Sequence, residues 1–396
     1  MPAGADALAL LDYCLRGEPA PDPLLDRVVT NARTAEGSRA LFALVIERLG
    51  DLFEPHLCDA YAAAFSRIVE RIAPEHRAVD LESRYHRIRL PRPVPENVRR
   101  VVVLSRVTLG ADVAVTSVLL RAAIGRYPQC EIVFAGPAKN YALFAGEARL
   151  RHLEIDYGRG ATLAERLAVS FQLRPLLDDP STLVIDPDSR LTQLGLIPVC
   201  AEDRYLYFES RAFGAGTDLA LPELASRWAE ENLGVAGAEP WLAPLPVDDP
   251  AAAAVTVSLG VGENPAKRVP DPFELLLLKH LASRSDSVLV DEGASGEERG
   301  RVERALQPGM RTWRGAFAPF AYRITGSRLY VGYDSAGQHV AAAAGVPLVC
   351  VFAGHVSERM FTRWKPTGRG PIVILRGDRP DVLPAAKAAI DQLLAR

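Results

Sequence analysis

Arg100–Ser105 reads RVVVLS, an apolar β-branched run with no polar alternation. A strand of that kind needs both faces buried, which is the condition of a strand inside a parallel sheet covered by helices on each side. A turn follows at Val107–Asp112 (VTLGAD). The stretch from Val113 to Tyr127 then places Val115, Leu119, Leu120 and Ala123 on one helical face, and Glu131–Ala135 (EIVFA) is a second apolar strand. Strand, helix and strand in that order form one right-handed crossover with both strands parallel. The same spacing predicts strands at Leu153–Ile155, Thr182–Ile185 and Arg204–Phe208, and a helix at Leu163–Leu177.

The grammar restarts after Glu239–Ala254 (EPWLAPLPVDDPAAAA), whose four prolines and two adjacent acids suit a solvent-exposed connection. Strands are expected at Val255–Leu259, Ser287–Val290, Leu329–Val331 and Leu348–Phe352. Helices are expected at Phe273–Ser283, Gly296–Leu306, Gln338–Ala344 and Leu383–Leu394. Ahead of both halves, Arg39–Leu49 and Asp59–Ile72 repeat apolar residues at three- and four-residue steps, the amphipathic helix period. Residues 1–90 therefore form a small helical domain. Pro91, Pro93 and Pro95 then hold an extended linker or strap across another surface. The expected domains are 1–90 (helical), 98–245 and 252–396 (each Rossmann-like), an α/β chain whose two sheets face a cleft.

At 396 residues the chain has room for two or three such units. Its 48% hydrophobic and 24% charged content excludes wholesale disorder. Lys and Arg total 46 against 49 Asp and Glu, a net charge of -3, so nothing points to nucleic acid or an anionic membrane as partner. The five cysteines form no C-x-x-C pair, which argues for single buried thiols rather than a zinc site or a disulfide framework. The N-terminus carries Asp6 and Asp12 where a signal peptide is apolar, and no run approaches the ~18 apolar residues of a membrane span. The expectation is a cytoplasmic protein without a transmembrane segment.

The sharpest segment is Leu329–Gly354. A strand ends at Tyr333, and Asp334-Ser335-Ala336-Gly337-Gln338-His339 opens an Ala-rich helix. Small residues on a first helical turn let a ligand approach the backbone, and the free N–H groups and dipole there favour phosphate. A capped helix, with Asp334 as cap and His339 half-buried, is the plainer account of the same residues.

DSAGQHVAAAAGVPLVCVFAG resembles the D-[ST]-G-x-x-H-x-A-A-x-x-G-x-P-x-x-x-x-[FY]-G motif of the heptosyltransferase-like glycosyltransferases, family 9, which have the two-domain GT-B fold. The opening strand, turn and helix from Val101 resemble the same family. So do Val184–Leu196 (VIDPDSRLTQLGL) and Val257–Phe273 (VSLGVGENPAKRVPDPF), so that about 98 to 375 is covered. Departures are Ala111 between Gly110 and Asp112, Ala336 where the family has Gly, Val269 where it has Trp, and Thr192 where a base stands.

The resemblance implies an inverting glycosyltransferase that moves a sugar from a nucleotide-diphosphate sugar to an acceptor hydroxyl. Asp112 would be its general base, unless it merely caps the following helix. Gly260, Lys267, Arg268, Asp334, Ser335, Ala336, Gly337 and His339 would bind the nucleotide sugar, with Gly260-Val261-Gly262 offering backbone N–H groups to phosphate. Asp186 and Arg190 would meet the acceptor, and His355, Arg359 and Arg363 would rim the donor pocket. Trp313, Tyr333 and Trp364 are either stacking platforms or core. No cofactor and no metal are implied. The acceptor is a glycan, lipid, protein or small molecule, and the helical region is free to dock a partner or subunit. Two alternatives remain: a nucleotide-sugar epimerase or hydrolase, against which His339 in place of an acid speaks, and a non-catalytic nucleotide-sugar-binding protein.

Overall fold

The computed structural model describes residues 2–158, 160–247, 253–262 and 264–395. Its strands form two sheets. β1 (Arg100–Leu104), β2 (Glu131–Gly136), β3 (Leu150–Glu154), β4 (Thr182–Asp186) and β5 (Tyr205–Tyr207) are ordered β3-β2-β1-β4-β5. β6 (Val255–Ser258), β7 (Val288–Asp291), β8 (Arg311–Trp313), β9 (Leu329–Tyr333), β10 (Leu348–Phe352) and β11 (Ile372–Arg376) are ordered β11-β10-β9-β6-β7-β8. Every pairing is parallel. In each sheet the winding reverses beside the first strand, between β1 and β4 and between β6 and β9. Ligands of open α/β sheets gather beyond the strand ends at such reversals.

Alternation along β1 assigns its two faces. Val101 and Val103 join a core with the helices Ser117–Arg126 and Leu221–Leu233, and this core runs on into the second lobe through Tyr330, Val340, Ala341 and Cys350. Val102 and Leu104 point the other way. They share a core with Leu10, Leu25, Phe42, Phe65 and Ile88 of the helical segment and with Leu167 and Leu173 of the helix Leu163–Leu177. The helices from Pro2–Arg16 to Ala78–Ile88 thus cover one face of the first sheet instead of forming a core of their own. Buried polar ties fasten them: Tyr61 donates to the Gln193 carbonyl at 2.8 Å, Ser38 to that of Ala161 at 2.9 Å and Arg84 to that of Gly195 at 2.6 Å.

The proline-rich segment after Ile88 is a strap, with Arg89 bound to Glu209 at 2.7 Å and Arg92 to the carbonyls of Glu202 and Arg87. The expected exposed connection at 239–254 is corrected in its first part. Trp241 is buried in the first core, its indole donates to the Ser117 carbonyl at 2.6 Å, and Ala243 pairs with Leu143 and Gly146. Residues 248–252 of that connection lie outside the described residues. All five cysteines are free thiols, four of them buried. Among the described residues no helix is long and apolar enough to cross a membrane.

Candidate active site

A cleft of about 100 Å³ opens where three parts of the chain meet. Its floor is the C-terminal edge of the first sheet, with Arg106 just past β1 and Asp188 and Arg190 just past β4. The helical segment supplies one wall through Glu47, Asp51 and Phe53, and the second lobe reaches in with Trp364. A larger cavity of about 280 Å³ lies behind the proline strap. It lies beside the edge strand β5, away from the sheet reversal, so the smaller cleft is the candidate site.

The cleft lining carries three arginines and three acids, Glu47, Asp51 and Asp188. Arg106 is buried and donates to the Pro187 carbonyl at 2.9 Å and to Ser210; burial lowers its pKa to about 10, which leaves it charged at neutral pH. Burial works against the charge on Arg211, but Asp188 at 2.9 Å together with the smaller influences of Cys58, Tyr207 and Tyr61 outweighs it and the pKa is raised. Arg190 pairs with Glu47 at 2.8 Å. From the second lobe Lys267 reaches the Asp334 carboxylate at 2.8 Å, and its charge acts on both Asp51 and His339. Three arginines therefore line one gap, and the charge of Lys267 from the second lobe acts on Asp51 within it; cations so placed stabilise a multiply charged phosphate ester and the charge growing on it as it leaves.

The expectation of a base at Asp112 is corrected. Its carboxyl is fully buried and both oxygens are taken. One accepts from the Arg106 N–H at 2.7 Å and Thr116 at 2.6 Å, the other from Ser105 and the Asn140 amide, both at 2.6 Å. Burial raises its pKa and these four donors oppose the rise. An acceptor hydroxyl has no approach to such a group. What Asp112 holds is the loop after β1, where Val107 adopts φ 71, a left-handed conformation that costs a β-branched residue about 1–3 kcal/mol.

Asp186 is corrected for the same reason. It is fully buried, accepting from the Ser189 N–H at 2.6 Å and from the Thr192 and Tyr205 hydroxyls, and burial pushes its pKa up to about 6. It shapes the β4 exit and does not face the cleft. Asp188, at φ 68, does face it.

On the second lobe the predicted residues divide. Lys267, Asp334 and His339 come together, the last two buried. Burial lowers the His339 pKa to about 4, so the ring is neutral, and it packs edge-on against Trp364. Ser335 caps the helix Ala336–Ala343 without a side-chain bond, and Ser335 and Ala336 are half-buried. Gly337 turns inward: a Cβ there would stand 2.0 Å from the Tyr330 hydroxyl, so its smallness serves packing. Gly110 of the first lobe comes so near this helix start that a Cβ would lie 3.2 Å from the Ala336 Cα. The lobes already touch there, and the open gap is to one side, toward Asp51 and Trp364.

Arg268 is corrected. It pairs with buried Glu274 and lies over the Tyr333 ring, away from the cleft. The cradle at Gly260-Val261-Gly262 is filled from within. The Val261 and Gly262 N–H groups donate to the Glu298 carboxylate at 2.9 and 3.2 Å, and Ala294 and Ser295 donate to its other oxygen. Arg359 and Arg363 do not rim a donor pocket; they latch the lobes. Arg359 donates to the Phe53 carbonyl at 2.9 Å, and Arg363 to the Leu219 and Gly214 carbonyls. His355 packs on Phe361 and meets Arg376. Tyr333 is core, Trp313 stacks near Phe320, and only Trp364 of the three named aromatics reaches the cleft.

Arg106, Arg211 and Asp51 were not legible as site residues. Arg106 had a positional signal, immediately after the central strand of a parallel sheet. Among the described residues no group of three or more His, Cys, Asp or Glu is arranged to hold a metal ion.

Two parallel α/β lobes meeting across the ends of their strands are the GT-B fold, and the chain has that fold. It resembles E. coli ADP-heptose LPS heptosyltransferase II, with TM-score 0.52 and 18% identity over 75% of this chain and 98% of the other. It resembles a glycosyl transferase of family 9 from Veillonella parvula DSM 2008, with TM-score 0.57 and 13% identity over 77% and 99%. The E. coli heptosyltransferase WaaC, solved with ADP, gives TM-score 0.54 and 17% identity over 74% and 99%. No family model matches the chain, and no curated protein matches its sequence.

Proposed function

We propose that the chain is a glycosyltransferase that moves a sugar from a nucleotide-diphosphate sugar to an acceptor hydroxyl by one direct displacement with inversion. Arg106, Arg190 and Arg211 lining one gap beyond the strand ends, with the charge of Lys267 acting on Asp51 inside it, carry this reading. The GT-B fold and the likeness to heptosyltransferases support it. The donor's diphosphate draws Lys267 away from Asp334, and the released Asp334 carboxylate accepts hydroxyls of the sugar or ribose. Neutral His339 and Trp364 form the apolar side of the donor pocket. Departure of the nucleoside diphosphate places new negative charge among these cations, which lowers the barrier to leaving.

A thermal-shift panel of ADP-, UDP-, GDP- and dTDP-sugars tests this. A cognate donor at a hundred times its Kd adds about 2.7 kcal/mol of stability. Lys267→Ala is expected to weaken binding of that donor at least tenfold, the loss of about one charge-assisted hydrogen bond. No shift with any donor, or equal shifts in wild type and Lys267→Ala, would contradict the proposal.

A further inference from the structure

We propose that Asp51, supplied by the helical segment that lies outside the family resemblance, is the general base that takes the proton from the acceptor hydroxyl. This inference rests on the glycosyl-transfer reading above.

The first ground is its lack of engagement. The other two acids that line the cleft are occupied, Asp188 by Tyr207, Ser210 and Arg211 and Glu47 by Arg190, while Asp112 and Asp186 lie buried beneath it among their own donors. Asp51 lines the cleft half-buried, and among the described residues its carboxyl has no hydrogen-bond or ion-pair partner.

Local stability gives no reason for an acid there. Asp51 ends the helix Glu47–Asp51, where the exposed carbonyls disfavour a negative charge.

The turn beyond it is fixed against the opposite lobe. Phe53 is held at φ 54, is buried edge-on to Trp364, and its carbonyl accepts from Arg359. A carboxyl poised on a rigid turn across from the donor side is what a base needs.

The groups around it set its titration. Burial raises its pKa to about 6. Arg211, Lys267 and Arg190 act to lower it and Glu47 to raise it, while Arg106 and Asp188 line the same cleft. Such a group is ionised at neutral pH yet more basic than an ordinary carboxylate, which suits proton abstraction.

In the step, the acceptor oxygen bonds to the anomeric carbon as its proton passes to an Asp51 oxygen. The bond from that carbon to the diphosphate breaks, and its electron pair leaves on the phosphate oxygen. Asp51 later returns the proton to water.

The test uses the full chain and the donor that wild type turns over from the panel above. Glycerol, free sugars and serine-containing peptides serve as acceptor probes, and nucleoside-diphosphate release is the readout. Asp51→Asn is expected to lower kcat at least a hundredfold, with donor KM and melting temperature unchanged and the acidic limb of the kcat–pH profile near 6 abolished. Asp51→Ser, which removes the charge with a different shape, is expected to do the same. An active wild type whose Asp51→Asn variant keeps kcat within threefold, or keeps its acidic limb, overturns the role of Asp51 alone. A wild type that turns over no donor overturns the transfer reading and the base with it.

Discussion

Asp112→Ala is expected to destabilise the first lobe by several kcal/mol, since each buried donor left without an acceptor costs about 1–3 kcal/mol. Four donors lose their acceptor at once: the Arg106 N–H and the side chains of Ser105, Thr116 and Asn140. All four are buried, and the left-handed turn at Val107 loses its fastening. Set against total stabilities of about 5–15 kcal/mol, that is a large fraction. Urea unfolding followed by the fluorescence of Trp228 and Trp241, both buried in this lobe, measures it. A midpoint equal to wild type, accompanied by lost turnover, would reinstate Asp112 as a base and refute its role as a clamp.

Removal of residues 1–97 is expected to leave a chain that does not fold. The helices cover Val102, Leu104, Val133, Ala135 and Val184 of the first sheet. Each larger side chain returned to water costs about 1.5–3 kcal/mol. Val102, Leu104, Val133 and Val184 alone then approach the whole stability of a domain, before the lost bonds of Tyr61, Ser38 and Arg84 are counted. Size-exclusion chromatography and near-ultraviolet circular dichroism decide the matter. The expected product is aggregated or without fixed aromatic signals. A soluble monomer with native near-ultraviolet bands would mean that the helices form a detachable docking module.

What could be read from the sequence follows from what is local. The run at β1, the helix Leu163–Leu177 with its Thr162–Glu165 capping box, and β10 are visible because periodicity and caps act within a few residues. β8 (Arg311–Trp313) is three residues long with no apolar run, so nothing marks it. Position after a strand marks Asp334, and a motif marks Lys267, and the fold brings these two side chains together. Such local signals fail where distant partners decide a residue's use. Asp112 looks like a free carboxylate until Asn140 arrives from beyond β2. The N–H groups of Val261 and Gly262 look available until Glu298 fills them. Asp51 belongs to a segment with no sequence link to either lobe, and only packing brings it to the cleft.

The central claim is that an activated sugar's diphosphate lies between the cations of the two lobes, across from Asp51. An experimental structure of the full chain with the nucleoside diphosphate of the cognate donor tests it most directly. The account predicts phosphate oxygens within hydrogen-bond distance of Lys267 and at least one of Arg106, Arg190 and Arg211, with the broken sugar linkage facing Asp51. A nucleotide seated in the larger cavity behind the proline strap, or with its phosphates out of reach of Lys267, would contradict it.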